Sequence, residues 1–196
     1  MTWEDIPGFF DFQDIYTQAV EEAQEGDILV EVGSYLGKST VFLARQLIDS
    51  GKYCSFFAVD TFNKPGWVRV TEAFGASPLP VPPEMAKFSL LYDAFRYNLA
   101  RCGVDGVVQI LPQLSTIAAR SFPDNSCSFV FLDADHEYSS VKEDLEAWVP
   151  KVKPGGIIAG HDYEDPLWPG VAKAVNEKCS KVEKRGNSWM VRKEKP

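Results

Sequence analysis

The chain has 196 residues, of which 45% are hydrophobic and 24% charged, and a formal net charge of −8. That length and balance suit one soluble domain burying roughly two-thirds of its unfolded surface. The acidic excess argues against a broad nucleic-acid footprint or an anionic membrane surface. No apolar run approaches the ~18 residues of a membrane span, and no basic-then-apolar leader opens the chain, so the expected location is cytoplasmic. Cys54, Cys102, Cys127 and Cys179 are scattered without a C-x-x-C pair, which fits free thiols in a reducing compartment.

Phe12, Ile15, Tyr16, Ala19, Val20 and Ala23 recur at helical spacing and predict a helix over residues 9–24. Ile28–Val32 is a short β-branched run that suits a buried strand. Gly33 and Gly37 then bracket a tight turn, with Ser39 or Thr40 expected to cap the next helix. A strand, a glycine turn and a helix N-terminus make a site for an anionic or zwitterionic cofactor, because backbone N–H groups point outward and no Cβ blocks approach. A dinucleotide turn, G-x-G-x-x-G, is disfavoured because Tyr35 stands at its second glycine. A phosphate loop, G-x-x-x-x-G-K-[ST], fits Gly37-Lys38-Ser39 but finds Val32 at its first glycine, and it ranks second.

Cys54–Val59 predicts the second strand, ending in Asp60 at the position where nucleoside-binding α/β folds place an acid on ribose hydroxyls. Residues 61–85 combine five prolines with Phe62, Trp67 and Phe74 and read as a lid or substrate-facing loop. A helix from Phe88 to about Arg101 follows, then a strand at Val107–Leu111 and a short helix at Leu114–Ala118. Gln113 to Thr116 open off that strand. Ser128–Leu132 is a fourth strand ending in Asp133-Ala-Asp135-His136, a crowding of ionisable groups that costs stability unless something uses them. Ser140-x-x-Glu143 reads as a capping box for a helix ended by Pro150. Pro154-Gly-Gly156 turns into a fifth strand, Ile157–Ala159, followed by His161-Asp162. A helix at Trp168–Lys178 and a hairpin about Gly186-Asn187 complete the chain.

Strands alternating with helices predict an α/β fold whose doubly wound sheet is mostly parallel and ends in an antiparallel hairpin. Ligands of such sheets sit beyond the carboxyl ends of the strands, where every polar cluster above falls.

Glu31-Val-Gly33-Ser-Tyr-Leu-Gly37 resembles the first motif of the class I S-adenosylmethionine-dependent methyltransferases. With Phe131–Tyr138 and Lys153–Tyr163, it is similar to the small bacterial and phage branch related to cephalosporin-hydroxylase-like and macrocin-type O-methyltransferases. The resemblance implies one Rossmann-like methyltransferase domain over residues 1–196, S-adenosylmethionine as cofactor, and O-methylation of a small molecule such as a sugar or secondary metabolite. It implies cofactor contacts from Glu31, Gly33, Ser34, Tyr35, Gly37, Lys38, Ser39, Asp60, Thr61, Gln113, Ser115 and Asp133. Cation-dependent relatives hold a metal on an Asp ending the fourth strand and an acid–amide pair ending the fifth. Asp133, His161 and Asp162 stand at those places, with His replacing the usual acid and with Asp135 or His136 as reserve ligands. Asp133, His136 and His161 are the catalytic candidates, a histidine or a metal-bound hydroxyl generating the nucleophile. A homodimer is open; nucleic acid and membrane partners are not expected. Two further readings stay open: a phosphate-loop phosphohydrolase using Lys38, Ser39 and Asp133, and a binder that keeps the fold without turnover.

Overall fold

The computed structural model describes residues 1–63 and 91–195. Most of the expected lid and the first residues of the helix expected from Phe88 lie outside the described residues. The strands are β1 (Ile28–Val32), β2 (Ser55–Val59), β3 (Val108–Leu111), β4 (Cys127–Leu132), β5 (Val152–Gly160), β6 (Glu183–Arg185) and β7 (Ser188–Arg192). The helices are α1 (Gln13–Glu22), α2 (Lys38–Ser50), α3 (Leu91–Arg101), α4 (Ser115–Ala118), α5 (Tyr138–Trp148) and α6 (Pro169–Lys178). The sheet runs β3-β2-β1-β4-β5-β7-β6, with β7 antiparallel to both of its neighbours and the first five strands parallel.

The central strands are apolar throughout because both sheet faces are covered. Leu29, Phe56, Phe129 and Phe131 face the layer containing α1, α2 and α3, while Val30, Val32, Val130 and Leu132 face α5 and α6. Each such side chain contributes roughly 1.5–3 kcal/mol on burial. The exception is Glu31, which is 1% exposed on an inner face. Its carboxylate accepts from Tyr16 Oη of α1 at 2.8 Å and from Thr40 Oγ1 of α2. One acid thereby ties two helices to β1. Burial pushes the Glu31 carboxyl up, and the hydroxyls of Ser39, Thr40, Tyr16 and Ser34 pull against that.

The register levels the carboxyl ends of the parallel strands: Val32 pairs with Val59 and Leu132, Val59 with Leu111, and Leu132 with Gly160. The ladder also runs one residue further. Asp60 N donates to Leu111 O at 3.3 Å, Gly33 N to Val59 O at 2.8 Å, Asp133 N to Val32 O at 2.8 Å and His161 N to Leu132 O at 3.2 Å. Asp60, Gly33, Asp133 and His161 therefore form a row along one sheet edge.

Several sequence expectations are corrected. The first helix begins at Gln13 rather than residue 9, after an aromatic segment in which Phe10 packs on Trp3, Phe12 and Phe42. Helix α2 begins at Lys38 with left-handed Gly37 as its cap, since the Thr40 hydroxyl is taken by Glu31. Helix α5 starts at Tyr138, so Ser140 and Glu143 lie inside it and form no capping box. Asp135 Oδ1 instead accepts from the backbone N–H of His136 (2.7 Å) and Glu137 (3.2 Å), and Oδ2 from Ser140 Oγ (3.1 Å). Pro154–Gly156 lies within β5, where the pairing register with β4 slips, rather than preceding the strand.

Tyr16→Phe keeps the ring and removes one donor from a buried carboxylate. Chemical denaturation will show a loss of about 1–3 kcal/mol with an unchanged far-ultraviolet circular dichroism spectrum.

Candidate active site

The turn after β1 is shaped by two close approaches. Gly33 has φ +92°, and a Cβ there would lie 2.0 Å from the Asp133 carbonyl oxygen. A glycine is therefore required twice over, by conformation and by space. At Gly37 (φ +88°) a Cβ would meet the Phe95 ring at 3.0 Å. Tyr35 also adopts a left-handed conformation, φ 46°. Neighbouring groups hold the turn in place: Gly37 N donates to Ser34 O at 2.8 Å, and Asn98 Nδ2 of α3 donates to Leu36 O at 2.8 Å. Asp60 Oδ2 accepts from Ser34 N (3.0 Å) and Tyr35 N (2.9 Å), and Oδ1 accepts from Phe62 N (2.8 Å). A carboxylate has about four acceptor positions, so Asp60 keeps one for a ligand.

A cleft of about 440 Å³ opens over the levelled strand ends, within the usual range for small-molecule sites. Of the residues expected from sequence, Gly33, Tyr35, Asp60, Thr61, Gln113, Ser115, Asp133 and His136 line it. Glu31 does not; it lies beneath the turn and is filled by protein hydroxyls. Ser34, Gly37, Lys38 and Ser39 are also absent from the lining. Ser34 is buried, Ser39 hydrogen-bonds Glu31, and Lys38 Nζ lies 5.8 Å from the Trp3 ring centroid. Sequence reasoning missed Glu143 and Asp144, which line the far end of the cleft from α5. Burial, with the charges of Asp135 and Glu143, pushes the Asp144 carboxyl up to about 6 against a hydrogen bond from Ser115. Ser115 Oγ also accepts from Trp148 Nε1 at 2.8 Å. The i, i+4 placement of Ser140 and Asp144 on α5 was legible; that α5 turns this face to the cleft was not.

At the other end acids and imidazoles alternate. His136 Nε2 lies 3.4 Å from Asp133 Oδ1 and 2.7 Å from Asp162 Oδ2, and its ring stacks on Trp168 at 5.0 Å. His161 reaches Asp162 Oδ1 through Nδ1 at 3.2 Å and Asp11 Oδ1 through Nε2 at 2.9 Å. Asn187 Nδ2 from the β6–β7 turn adds a 3.1 Å bond to Asp162 Oδ1. Burial works against protonating His136, but the hydrogen bonds and charges of Asp133 and Asp162 prevail and raise it to about 9. His161 is likewise raised to about 9, burial being outweighed by Asp162, Asp133 and Asp11. Burial raises the Asp133 carboxyl. For Asp162 burial is overcome, and the two histidines hold it well below the usual carboxylate range.

Of the expected metal residues, the structure gathers Asp133, Asp162 and the reserve ligand His136, whose ligand atoms lie within 4.8 Å of one another among the described residues, while His161 is turned to Asp11. Two carboxylates and an imidazole make a mixed N/O set of the kind a divalent transition metal takes. Without an ion, His136 Nε2 bridges Asp133 Oδ1 and Asp162 Oδ2 at 3.4 and 2.7 Å, and a metal bound there would displace its proton.

A glycine turn, an acid after β2 and an acid after β4, set on a 3-2-1-4-5-7-6 sheet, define the class I S-adenosylmethionine-dependent methyltransferase fold. The chain belongs to the methyltransferase domain family, whose model matches residues 30–163. Its structure is similar to that of the O-methyltransferase NovP, with a TM-score of 0.64 and 20% identity over 93% of this chain and 79% of that one. It is also similar to CalS11, a calicheamicin methyltransferase, with a TM-score of 0.60 and 17% identity over 92% of this chain and 76% of that one. In sequence it is 36% identical over 69 residues to an uncharacterized protein of Acanthamoeba polyphaga mimivirus; the match spans 35% of this chain and 28% of that protein. Among the described residues no helix is long and apolar enough to cross a membrane.

The two raised histidines contribute stability that is fully present below their ordinary value of 6.5 and is lost as pH rises through about 9. Denaturation midpoints measured from pH 6.5 to 9.5 will therefore fall with rising pH, and Asp162→Asn will flatten that fall. Asp162 works in the opposite window: its contribution is present above the ordinary carboxylate range and is lost under acid.

Proposed function

We propose that this protein transfers the methyl group of S-adenosylmethionine to a hydroxyl of a small molecule, such as a sugar or secondary metabolite. The observation that carries the reading is the convergence of the glycine turn, Asp60 and the Asp133–His136 pair on one cleft. S-adenosylmethionine supplies an electrophilic methyl group when bound. Gly33 and Tyr35 line the cleft, Gly33 without a Cβ to block approach, while their N–H groups serve Val59 O and Asp60; Asp60 offers its remaining acceptor position to a ribose hydroxyl, and Gln113 and Ser115 also line the cleft. Family membership and the naming of NovP as an O-methyltransferase support the same reading.

Asp133 is the proton acceptor for the substrate hydroxyl. It faces the cleft, and its raised affinity for a proton makes it a stronger base than an exposed carboxylate. His136, as imidazolium, stands 3.4 Å from Asp133 and stabilises the oxygen charge that develops. No metal enters this reading. The phosphate-loop alternative loses its support, because Lys38 lies against Trp3 and does not line the cleft.

Calorimetric titration tests the cofactor. S-adenosylmethionine will bind at micromolar concentration and Asp60→Ala will weaken it roughly tenfold, the equivalent of one charge-assisted hydrogen bond. Binding of ATP with Mg²⁺ in its place would overturn the reading. Incubation with labelled S-adenosylmethionine and a panel of methyl glycosides and phenols tests the transfer. With the best acceptor of that panel, the rate will follow a bell-shaped pH profile whose alkaline limb lies near the value of about 9 held by His136. The limb will disappear in His136→Asn. A chelator will leave the rate unchanged; a loss restored by a divalent cation would place an ion at Asp133 and Asp162.

A further inference from the structure

We propose that Asp11 is a positioning residue of this site: it fixes the His161 ring so that His161 sets the Asp162 carboxylate against His136. The proposal rests on the methyltransferase reading for its purpose, but its geometry stands alone. Asp11 comes from the segment before α1, far in sequence from any motif, and no sequence pattern marks it. Its Oδ1 accepts the His161 Nε2 proton at 2.9 Å. The opposite ring nitrogen then faces Asp162 Oδ1 at 3.2 Å, and the remaining Asp162 oxygen holds His136 at 2.7 Å. Three links thus join a surface carboxylate to the residue beside the proposed base.

Two observations argue that the contact does more than decorate the surface. The His161 side chain is 10% exposed while that of Asp11 is 64% exposed, so a buried ring has recruited a partner from solvent. The next residue, Phe12, lies against the His161 ring at 5.1 Å and stacks on Phe131 of β4 at 4.3 Å, which anchors the segment bearing Asp11. Asp162 adopts φ 56°, a left-handed conformation that Asp tolerates better than most non-glycine residues. Asn187 and His161 bind its Oδ1 from either side. Removing the Asp11 acceptor frees the His161 ring to rotate, and one of the two clamps on Asp162 goes with it.

The test compares Asp11→Ala, which removes the acceptor, with Asp11→Asn, which keeps a carbonyl oxygen for the His161 proton. The first readout is the imidazole nitrogen spectrum of the uniformly ¹⁵N-labelled protein, which needs no substrate. Asp11→Ala will move the His136 resonances as well as those of His161, and Asp11→Asn will leave His136 near its wild-type position. The second readout uses the best acceptor of the panel above. Asp11→Ala will lower kcat by roughly tenfold to a hundredfold, the range for misplaced catalytic groups, with the S-adenosylmethionine dissociation constant within twofold of wild type, and Asp11→Asn will restore most of it. Unmoved His136 resonances in Asp11→Ala, or an Asn variant as perturbed as the Ala variant, would overturn the proposal. Failure of the wild-type protein to bind S-adenosylmethionine would instead sink the methyltransferase reading, and the nitrogen spectrum would still decide the role of Asp11.

Discussion

The contact between Gly33 and the main chain of Asp133 sets the geometry on which the site depends. The glycine turn crosses the end of β4 with no room for a single methyl group: a Cβ would stand 2.0 Å from a carbonyl oxygen. Asp133 N donates to Val32 O at 2.8 Å, so the two strand ends are bonded as well as in contact. On its other side the turn is held by the Asp60 carboxylate. A loop clamped between one neighbour's backbone and another's side chain has little freedom, and the acids after β2 and β4 are fixed relative to it and to each other. Preorganisation of this kind is what positions a cofactor against a base at little entropic cost.

The electrostatic logic of the cleft follows from burial. Asp133, Asp162, His136 and His161 would each be costly to hide singly, and together they form pairs in which every charge faces an opposite one. Such pairs add little net stability, since desolvation offsets most of the attraction. What they supply is a defined protonation pattern: imidazoles charged, Asp162 ionised, and Asp133 left with the weakest claim to its negative charge. Glu31 repeats the pattern without histidine, using hydroxyls as its donors and serving the packing of α1 and α2 instead of the cleft.

The strands and their alternation with helices were legible in the sequence because apolar runs of four to six residues, bounded by glycine, acid or proline, leave few alternatives, whereas the order of the strands across the sheet came only from the structure. The row of polar residues at the strand ends was legible for the same reason, and it delivered Gly33, Asp60, Asp133 and His136 to the cleft. What failed had physical causes. Glu31 looked like a ligand group because its motif position could not reveal that it would be buried beneath the turn and bonded by Tyr16 and Thr40. The capping box at Ser140 lost to Asp135, which bonds the backbone of the next two residues and starts the helix earlier. Nor could the position of His161 beside Asp162 show its partner Asp11, which lies 150 residues away and joins it only through the tertiary fold.

The position of β7 in the sheet carries a consequence for which parts of the chain each half of the site depends on. The strand nearest the end of the chain is inserted between β5 and β6, and its turn delivers Asn187 to Asp162. The segment before α1 delivers Asp11 to the neighbouring His161. The contacts that clamp the glycine turn all come from residues no later than Asp133, whereas the clamp on Asp162 draws on Asn187 at the far end of the fold. Cofactor loop and acid–imidazole cluster thus depend on different lengths of chain, and a change confined to the terminal hairpin reaches the second without touching the contacts of the first.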